Sequence, residues 1–125
     1  MSTEQPLVPV TVDIDGTPIM QLGLANHSPV PAITVCGELD LDTAPYLTDL
    51  VEQVAAGHPG RVVIDMADVT FVSAAGLNAL LRANDIVTRT GGRLLLRSPS
   101  PQTQRILAMT GTEHLVQPDT NDATC

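Results

Sequence analysis

Aromatic residues are nearly absent from this 125-residue chain: it has no tryptophan, one tyrosine (Tyr46) and one phenylalanine (Phe71). With 43% hydrophobic residues the chain should still fold as a globule, so its core must be built from valine, leucine, isoleucine, alanine and methionine. Proteins that grip single-stranded nucleic acid stack its bases on aromatic side chains. The composition excludes that mode of binding.

Positive charge is also scarce, since six basic residues face fourteen acidic ones and the formal net charge is −8. Binding to phosphate-rich partners depends on clusters of lysine and arginine. The sequence therefore argues against DNA, RNA and anionic membrane surfaces as partners. No apolar run approaches the roughly 18 residues of a membrane helix, and the N-terminus MSTEQPLVPV lacks the basic region and apolar stretch of a signal peptide. We expect a cytoplasmic protein.

Residues that could perform catalysis or hold a cofactor are few and scattered. Cys36 and Cys125 form neither a metal-binding spacing nor a disulfide framework. None of the three histidines lies near a serine in the G-x-S-x-G pattern of a nucleophile elbow. The glycine-rich patterns that cradle phosphates are absent. We predict a protein that is not an enzyme and that uses neither a cofactor nor a metal ion.

Hydropathy patterns predict strands that alternate with helices after an opening hairpin. Strands are predicted at 8–14, 19–25, 32–40, 61–66, 93–98 and 114–117. Helices are predicted from a cap at Asp42 or Thr43 to the GHPG segment, over 75–88, and from Ser100–Pro101 to Gly111. This order predicts an α/β sandwich in which helices pack against a partly parallel sheet.

The chain is predicted to form one domain, over residues 19–117. Residues 118–125 are polar and are expected to be a flexible tail. Residues 1–18 are expected to form an N-terminal extension. For its segment 8–15 three alternatives stay open: an added edge strand, a swapped arm or a mobile extension.

Glu38, Asp40 and Asp42 alternate through the segment GELDLD, so an extended strand would point all three side chains to one face. A metal site built from them would need further convergent acids. Two interpretations remain open. Asp42 caps the first helix at a solvated strand end, or the acids contact a basic protein partner.

The segment DVTFVSAAGLNALL, residues 68–81, changes from a β-branched apolar run to helical spacing. Ser73 lies at the change, where its hydroxyl group is placed to cap the second helix. Glycine inside a helix costs about 1 kcal/mol relative to alanine. Gly76 therefore predicts a close approach of backbone, either by packing of the helix on the sheet or by contact with a partner.

Four segments in this order resemble the STAS domain of bacterial anti-sigma factor antagonists. They are CGELDLDTAPYL (36–47), VVIDMADVTFVSAAGLNALL (62–81), GGRLLLRSPSPQTQRILAMTG (91–111) and HLV (114–116). The resemblance covers residues 19–117. It is specific because three separated motifs agree: G-E-L-D, then D-x-[ST]-x-[FV] followed by G-L, then a G-G-x-L strand with a short helix ending in M-T-G.

The resemblance implies a STAS-like sandwich, with a mixed sheet of four to six strands and helices packed against it. It implies a function of binding rather than catalysis, without a cofactor, by a monomer or weak homodimer. Proteins of this family bind an anti-sigma factor that has an ATP-binding kinase fold, and so release a sigma factor for transcription. The anti-sigma factor phosphorylates a serine or threonine at the corner before the second helix, which ejects the antagonist.

The corner departs from the family pattern, which is D-S-[ST]-G-L or D-S-A-G-L with the phosphoacceptor directly after the aspartate. Alignment on Gly76–Leu77 puts Ser73 at the aspartate position, Ala74 at the acceptor position and Ala75 after it. Three alternatives remain. Ala74 makes the protein a permanently unphosphorylated antagonist, Ser73 accepts the phosphate one residue early, or control lies elsewhere, through another protein or Cys36.

The resemblance and the sequence together predict a partner-binding surface from two segments. Its residues are Glu38, Asp40, Asp42 and Thr43 from the first segment and Ser73, Ala74, Ala75, Gly76 and Asn78 from the second. The alternative function is a STAS module of a transporter or sensory complex, acting as a protein- or ligand-binding subunit.

Overall fold

The computed structural model describes residues 8–12, 16, 18–25, 30–57 and 60–116. Four predicted features lie partly or wholly outside these residues. They are the N-terminal extension at 1–7, 13–15 and 17, which includes positions 13 and 14 of the first strand, positions 58 and 59 of the GHPG segment, position 117 of the last strand, and the whole tail at 118–125.

A five-stranded sheet runs through the described residues, and its strands follow one another in chain order. The strands are β1 Val8–Val12, β2 Pro18–Ala25, β3 Ala32–Leu39, β4 Arg61–Val72 and β5 Arg93–Arg97. β1, β2 and β3 pair antiparallel, whereas β3, β4 and β5 pair parallel. The prediction of a mixed sheet is confirmed, and β1 lies at its edge.

Two helices connect the parallel strands, because the chain can return to a parallel neighbour only through a crossover of about a dozen or more residues. They are α1 Ala44–Gly57 and α2 Ala74–Arg89, and α3 Pro101–Met109 follows β5. The Ser100 hydroxyl accepts a hydrogen bond from the Thr103 amide at 3.1 Å and caps α3, with proline at the first helical position as predicted.

The predicted strand at 114–117 is wrong. Glu113–Leu115 form a short 3-10 helix in which the Leu115 amide donates to the Thr112 carbonyl at 3.1 Å. This turn places Leu115 in the core, and within residues 112–116 the pairing with the sheet is a single parallel bridge between Leu96 and Val116.

The core lies between one face of the sheet and the helices, and it is entirely aliphatic apart from methionine. Alternate residues of β3 enter it, as the two-residue period of a strand requires. In β4 and β5 three consecutive residues are buried, so these strands are covered on both faces there. The largest buried residues include Met20, Ile33, Val35, Ile64, Leu94 and Leu96 from the strands and Leu47, Val51, Leu80 and Leu107 from the helices. Both aromatic side chains lie outside it.

β4 is six residues longer than predicted, because the run from Ala67 to Val72 also forms strand. β5 ends opposite Asp65, so beyond that point β4 pairs only with β3 among the described strands. Two register shifts in this stretch, at Thr34–Cys36 and Gly37–Glu38, mark bulges in the pairing. Because of this extension, the corner between β4 and α2 lies beyond the end of β5 and beside the end of β3.

Leu80→Ala should lower the free energy of unfolding by about 2–5 kcal/mol, because it opens a cavity in the core beneath α2. The matched control is Leu41→Ala, which removes the same atoms from an exposed side chain and should change stability by about 0.5 kcal/mol or less. Urea denaturation measures both, and equal effects would contradict the assignment of Leu80 to the core.

Candidate functional site

The corner before α2 is held by hydrogen bonds to and from Ser73. Its backbone is extended, and its hydroxyl accepts from the Gly76 amide at 3.1 Å, which satisfies a free N–H of the first helical turn. Its amide donates to the Leu39 carbonyl at 3.0 Å, and its carbonyl accepts from the Leu77 amide at 2.8 Å. The predicted capping role of Ser73 is therefore confirmed.

Gly76 lies against the end of β3. A Cβ atom at this position would overlap the Leu39 carbonyl oxygen and touch the Leu39 side chain. Gly76 is itself buried. Of the two alternatives for this glycine, the structure supports packing of the helix on the sheet, and direct contact between Gly76 and a partner is not supported.

The exposed start of α2 carries small side chains. Ala74 and Asn78 are exposed and lie on one face of the helix, four residues apart, while Ala75 is half-buried. Ala74 has no hydroxyl group, and the Ser73 hydroxyl beside it is engaged with the helix. The first turn of α2 thus exposes small side chains at the corner.

The turn between β3 and α1 is built around Asp40 and Thr43. One carboxylate oxygen of Asp40 accepts from the amides of Asp42 at 3.0 Å and Thr43 at 3.1 Å. The buried Thr43 hydroxyl donates to the Glu38 carbonyl at 2.9 Å and accepts from the Asp40 amide at 2.8 Å. These bonds close a tight turn between the strand and the helix.

This turn corrects two expectations. β3 ends at Leu39, so Glu38, Asp40 and Asp42 do not share one face of an extended strand. Neither Asp42 nor Thr43 caps α1 with its side chain, because in residues 30–57 the Asp42 carboxylate makes no hydrogen bond and the Thr43 hydroxyl is bound within the turn. The residue that stabilises this turn is Asp40, whose carboxylate reaches amides two and three residues ahead.

The structure brings the two predicted segments side by side. β3 and β4 are parallel, so their carboxyl ends meet at one edge of the sheet, with Leu39 opposite Val72. The bond between the Ser73 amide and the Leu39 carbonyl joins the segments directly. Thr43 and Gly76 are buried at this edge.

The edge is acidic and its exposed acids are unpaired. Glu38 and Asp42 are exposed and Asp40 is half-buried. The two ion pairs within the described residues, Asp85–Arg89 and Asp65–Arg97, include none of the three. Neither 38–57 nor 62–81 contains a lysine or arginine.

Sequence reasoning missed three exposed apolar side chains on the elements that meet at this edge. Leu41, Tyr46 and Phe71 are exposed in the structure, in the turn after β3, the first turn of α1 and the end of β4. Leu41 stands between two aspartates in the turn, and Tyr46 lies off the apolar stripe of α1, so both carried a sequence signal of exposure. The exposure of Phe71, within an apolar strand pattern, had no such signal.

Neither a metal centre nor a membrane span appears in the part of the chain that the structure describes. There, no three or more His, Cys, Asp or Glu side chains are grouped so that they could hold a metal ion. None of the helices there combines the length and apolar composition that crossing a membrane requires.

A family model described as "Mlab, STAS domain" matches residues 22–117. The chain belongs to this family of STAS domains. The resemblance stated from the motifs is therefore confirmed.

Curated relatives in this family include an anti-sigma factor antagonist. The chain is 34% identical over 62 residues to the Mycobacterium tuberculosis protein named Anti-sigma-F factor antagonist RsfB, a match that covers 50% of this chain and 51% of RsfB. It is 29% identical over 83 residues to a STAS-domain containing protein of Pseudomonas aeruginosa, covering 66% of this chain and 81% of that protein. The RsfB match thus spans about half the length of each protein.

Solved structures agree on the fold. A crystal structure of an anti-sigma factor antagonist from Mycobacterium paratuberculosis aligns with a TM-score of 0.67 and 26% identity, over 85% of this chain and 87% of that chain. The unphosphorylated form of the antagonist SpoIIAA aligns with a TM-score of 0.67 and 16% identity, over 77% of this chain and 85% of that chain. The second likeness supports the fold alone.

Gly76→Ala should destabilise the protein by about 1–3 kcal/mol, because the added Cβ forces α2 away from the Leu39 carbonyl. The matched control is Gly57→Ala at the end of α1, where an added Cβ meets no atom within 4 Å. That variant should be as stable as the parent or up to about 1 kcal/mol more stable. Thermal and urea unfolding measure both variants. A stabilising Gly76→Ala would contradict the packing described here.

Proposed function

We propose that this protein is an anti-sigma factor antagonist, which binds an anti-sigma factor of ATP-binding kinase fold and thereby releases a sigma factor. The observation that carries the proposal is the combined likeness in sequence and fold to the Mycobacterium paratuberculosis antagonist, which extends over most of both chains. The name of the tuberculosis relative supports the same reading. Such a role places the protein in the cytoplasm, where sigma factors act, and requires no catalysis by this chain.

The partner-binding surface in this proposal is the edge where β3 and β4 end. Ala74, Ala75 and Asn78 of α2 and the acids Glu38 and Asp42 supply its accessible residues. The small side chains of α2 allow a partner backbone to come close, while unpaired carboxylates favour a partner with basic residues. Ser73, Asp40, Thr43 and Gly76 support the surface through their hydrogen bonds and packing.

The geometry at the corner favours one of the three alternatives for regulation. The Ser73 hydroxyl is partly buried against the first turn of α2, where it accepts from the Gly76 amide, so it is less accessible to a kinase than an exposed hydroxyl group. Ala74, at the position that accepts phosphate in the family, is exposed but has no oxygen. We propose that this antagonist is not switched by phosphorylation at the corner and stays competent to bind.

Ala74→Glu should weaken binding to the anti-sigma factor at least 10-fold, because a carboxylate at the start of α2 must be desolvated in the interface beside other acids. The fold should persist, since an acid is favourable at a helix N-terminus. Isothermal titration calorimetry with the purified anti-sigma factor of the host measures the dissociation constant. Size-exclusion chromatography of an anti-sigma–sigma complex with added antagonist measures release of the sigma factor.

The matched control for that experiment is Ala108→Glu, which puts the same charge on an exposed position of α3 away from the corner. It should bind like the parent. Failure of the parent protein to bind any kinase-fold anti-sigma factor of its host would overturn the proposed function. Co-purification with a membrane permease instead would favour the STAS module of a transporter.

Incubation of the parent protein with the anti-sigma factor and ATP should leave its mass unchanged. Ala74→Ser should gain about 80 Da, the mass of one phosphoryl group, because the hydroxyl restores an exposed acceptor at the first helical position. Intact-protein mass spectrometry gives the readout. A mass gain in the parent that disappears in Ser73→Ala would identify Ser73 as the acceptor and refute the proposed loss of the switch.

A further inference from the structure

The side chains of β4 change the face on which they lie partway along the strand. Val62, Ile64 and Met66 belong to the core at alternate positions, as a regular strand requires. By the same alternation Asp68 would follow Met66 into the core, yet Asp68 is exposed and Val69 packs against the core instead. A carboxylate without a partner in this aliphatic core would be strongly unfavourable. An irregularity of the strand between Met66 and Val69 avoids it.

The strand pairing shows where this irregularity lies. Asp65 on β4 lies opposite Thr34 on β3. The next pair in register is Asp68 with Cys36, so β4 takes three steps where β3 takes two. A β-bulge of this kind turns the side chains that follow it to the other face of the sheet. It directs Asp68 away from the core, and it sets the register in which β4 reaches the corner at Ser73.

The Asp65 carboxylate joins this bulge to the end of β5. Its Oδ1 accepts from the Ala67 amide at 3.0 Å, inside the bulge. Its Oδ2 accepts from Nη2 of Arg97 at 3.2 Å, and Arg97 is the last residue of β5. β5 pairs with β4 no further than Asp65, so the Ala67 amide gains its acceptor from the Asp65 side chain rather than from β5. An aspartate that reaches an amide two residues ahead stabilises a local turn of the backbone.

The two interactions of Asp65 differ in strength. The ion pair with Arg97 is partly exposed, since 44% of the Arg97 side chain and 25% of the Asp65 side chain are accessible. Ion pairs at such exposure contribute little to stability. A carboxylate that accepts from a backbone amide makes a stronger hydrogen bond than a neutral acceptor does. The bond to the Ala67 amide is therefore the one that fixes the bulge.

We infer that Asp65 is a positioning residue for the partner-binding surface, which it orients without touching the partner. The inference rests on the proposed function for its partner, while the geometry belongs to this chain alone. Beyond the bulge, Val72 lies opposite Leu39, and the Ser73 amide donates to the Leu39 carbonyl at 3.0 Å. Both contacts depend on the register that the bulge creates. Loss of the Asp65 carboxylate loosens that register, and with it the position of Ala74 at the start of α2.

Two substitutions of Asp65 separate its hydrogen bond from its charge. Asparagine keeps an oxygen that can accept from the Ala67 amide, whereas alanine keeps none. Asp65→Ala should raise the dissociation constant for the purified anti-sigma factor about 10-fold, which corresponds to the loss of one hydrogen bond to a charged group. Asp65→Asn and Arg97→Gln should each change the constant less than about 2-fold. Isothermal titration calorimetry measures all three variants.

Two controls exclude other causes of weaker binding. Asp85→Ala removes a carboxylate that pairs with Arg89 within α2 at 2.7 Å, and it should leave the constant within about 2-fold of the parent value. Leu107 is fully buried on α3. Leu107→Ala should lower the free energy of unfolding without weakening binding, at a temperature where the variant is folded. Equal weakening by Leu107→Ala and Asp65→Ala would reduce Asp65 to a general stabilising role and overturn the inference.

Amide NMR signals give a test that needs no partner. Asp65→Ala should shift the proton–nitrogen correlation signals of residues 69–76 and leave those of α3 near their parent positions, and Asp65→Asn should shift them less. Unchanged signals at 69–76, or an unchanged dissociation constant when the parent binds, would refute the positioning role while the proposed function stands. If the parent binds no anti-sigma factor, the proposed function fails, and the signals at 69–76 alone decide whether Asp65 positions the corner.

Discussion

The Leu39 carbonyl group joins the end of β3 to the start of α2, and the arrangement of the whole site depends on this contact. It accepts the Ser73 amide at 3.0 Å, and its oxygen fills the space where a side chain at Gly76 would lie. The first turn of α2 is therefore set directly on the strand end. Without that close approach, the acids that follow β3 and the small side chains of α2 would lie on separate surfaces.

The turn after β3 complements this contact with polar groups. Asp40 and Thr43 use their side chains to satisfy backbone amides and a carbonyl over a few residues, so Thr43 can be buried without an unpaired hydroxyl. The same turn leaves Leu41 and Asp42 outward. The buried Thr43 thus fixes the turn in which Leu41 and Asp42 are exposed. These two side chains contribute to the apolar and acidic character of the edge.

Much of the fold was predictable because the periodicities that define strands and helices are local. The buried stripe of α1, the cap at Ser100 and the aliphatic runs of β4 and β5 all follow from residues close together in the chain. The errors came where a local pattern competed with distant contacts. His114 and its neighbours were predicted as strand, yet burial of Leu115 against the core selects a 3-10 turn. β4 continues past Met66 because the end of β3 pairs with it.

The sequence by itself determined the element types, the aliphatic core, the acidic character of the edge and the absence of a hydroxyl at Ala74, since each is a property of composition or short-range spacing. Only the tertiary structure decided which of the predicted site residues are accessible. Thr43 and Gly76 are buried and Phe71 is exposed because of contacts with β3. In the case of Gly76 and Leu39, the contact joins residues more than thirty positions apart. A periodic pattern in the sequence does not indicate which residues come into contact over such a separation.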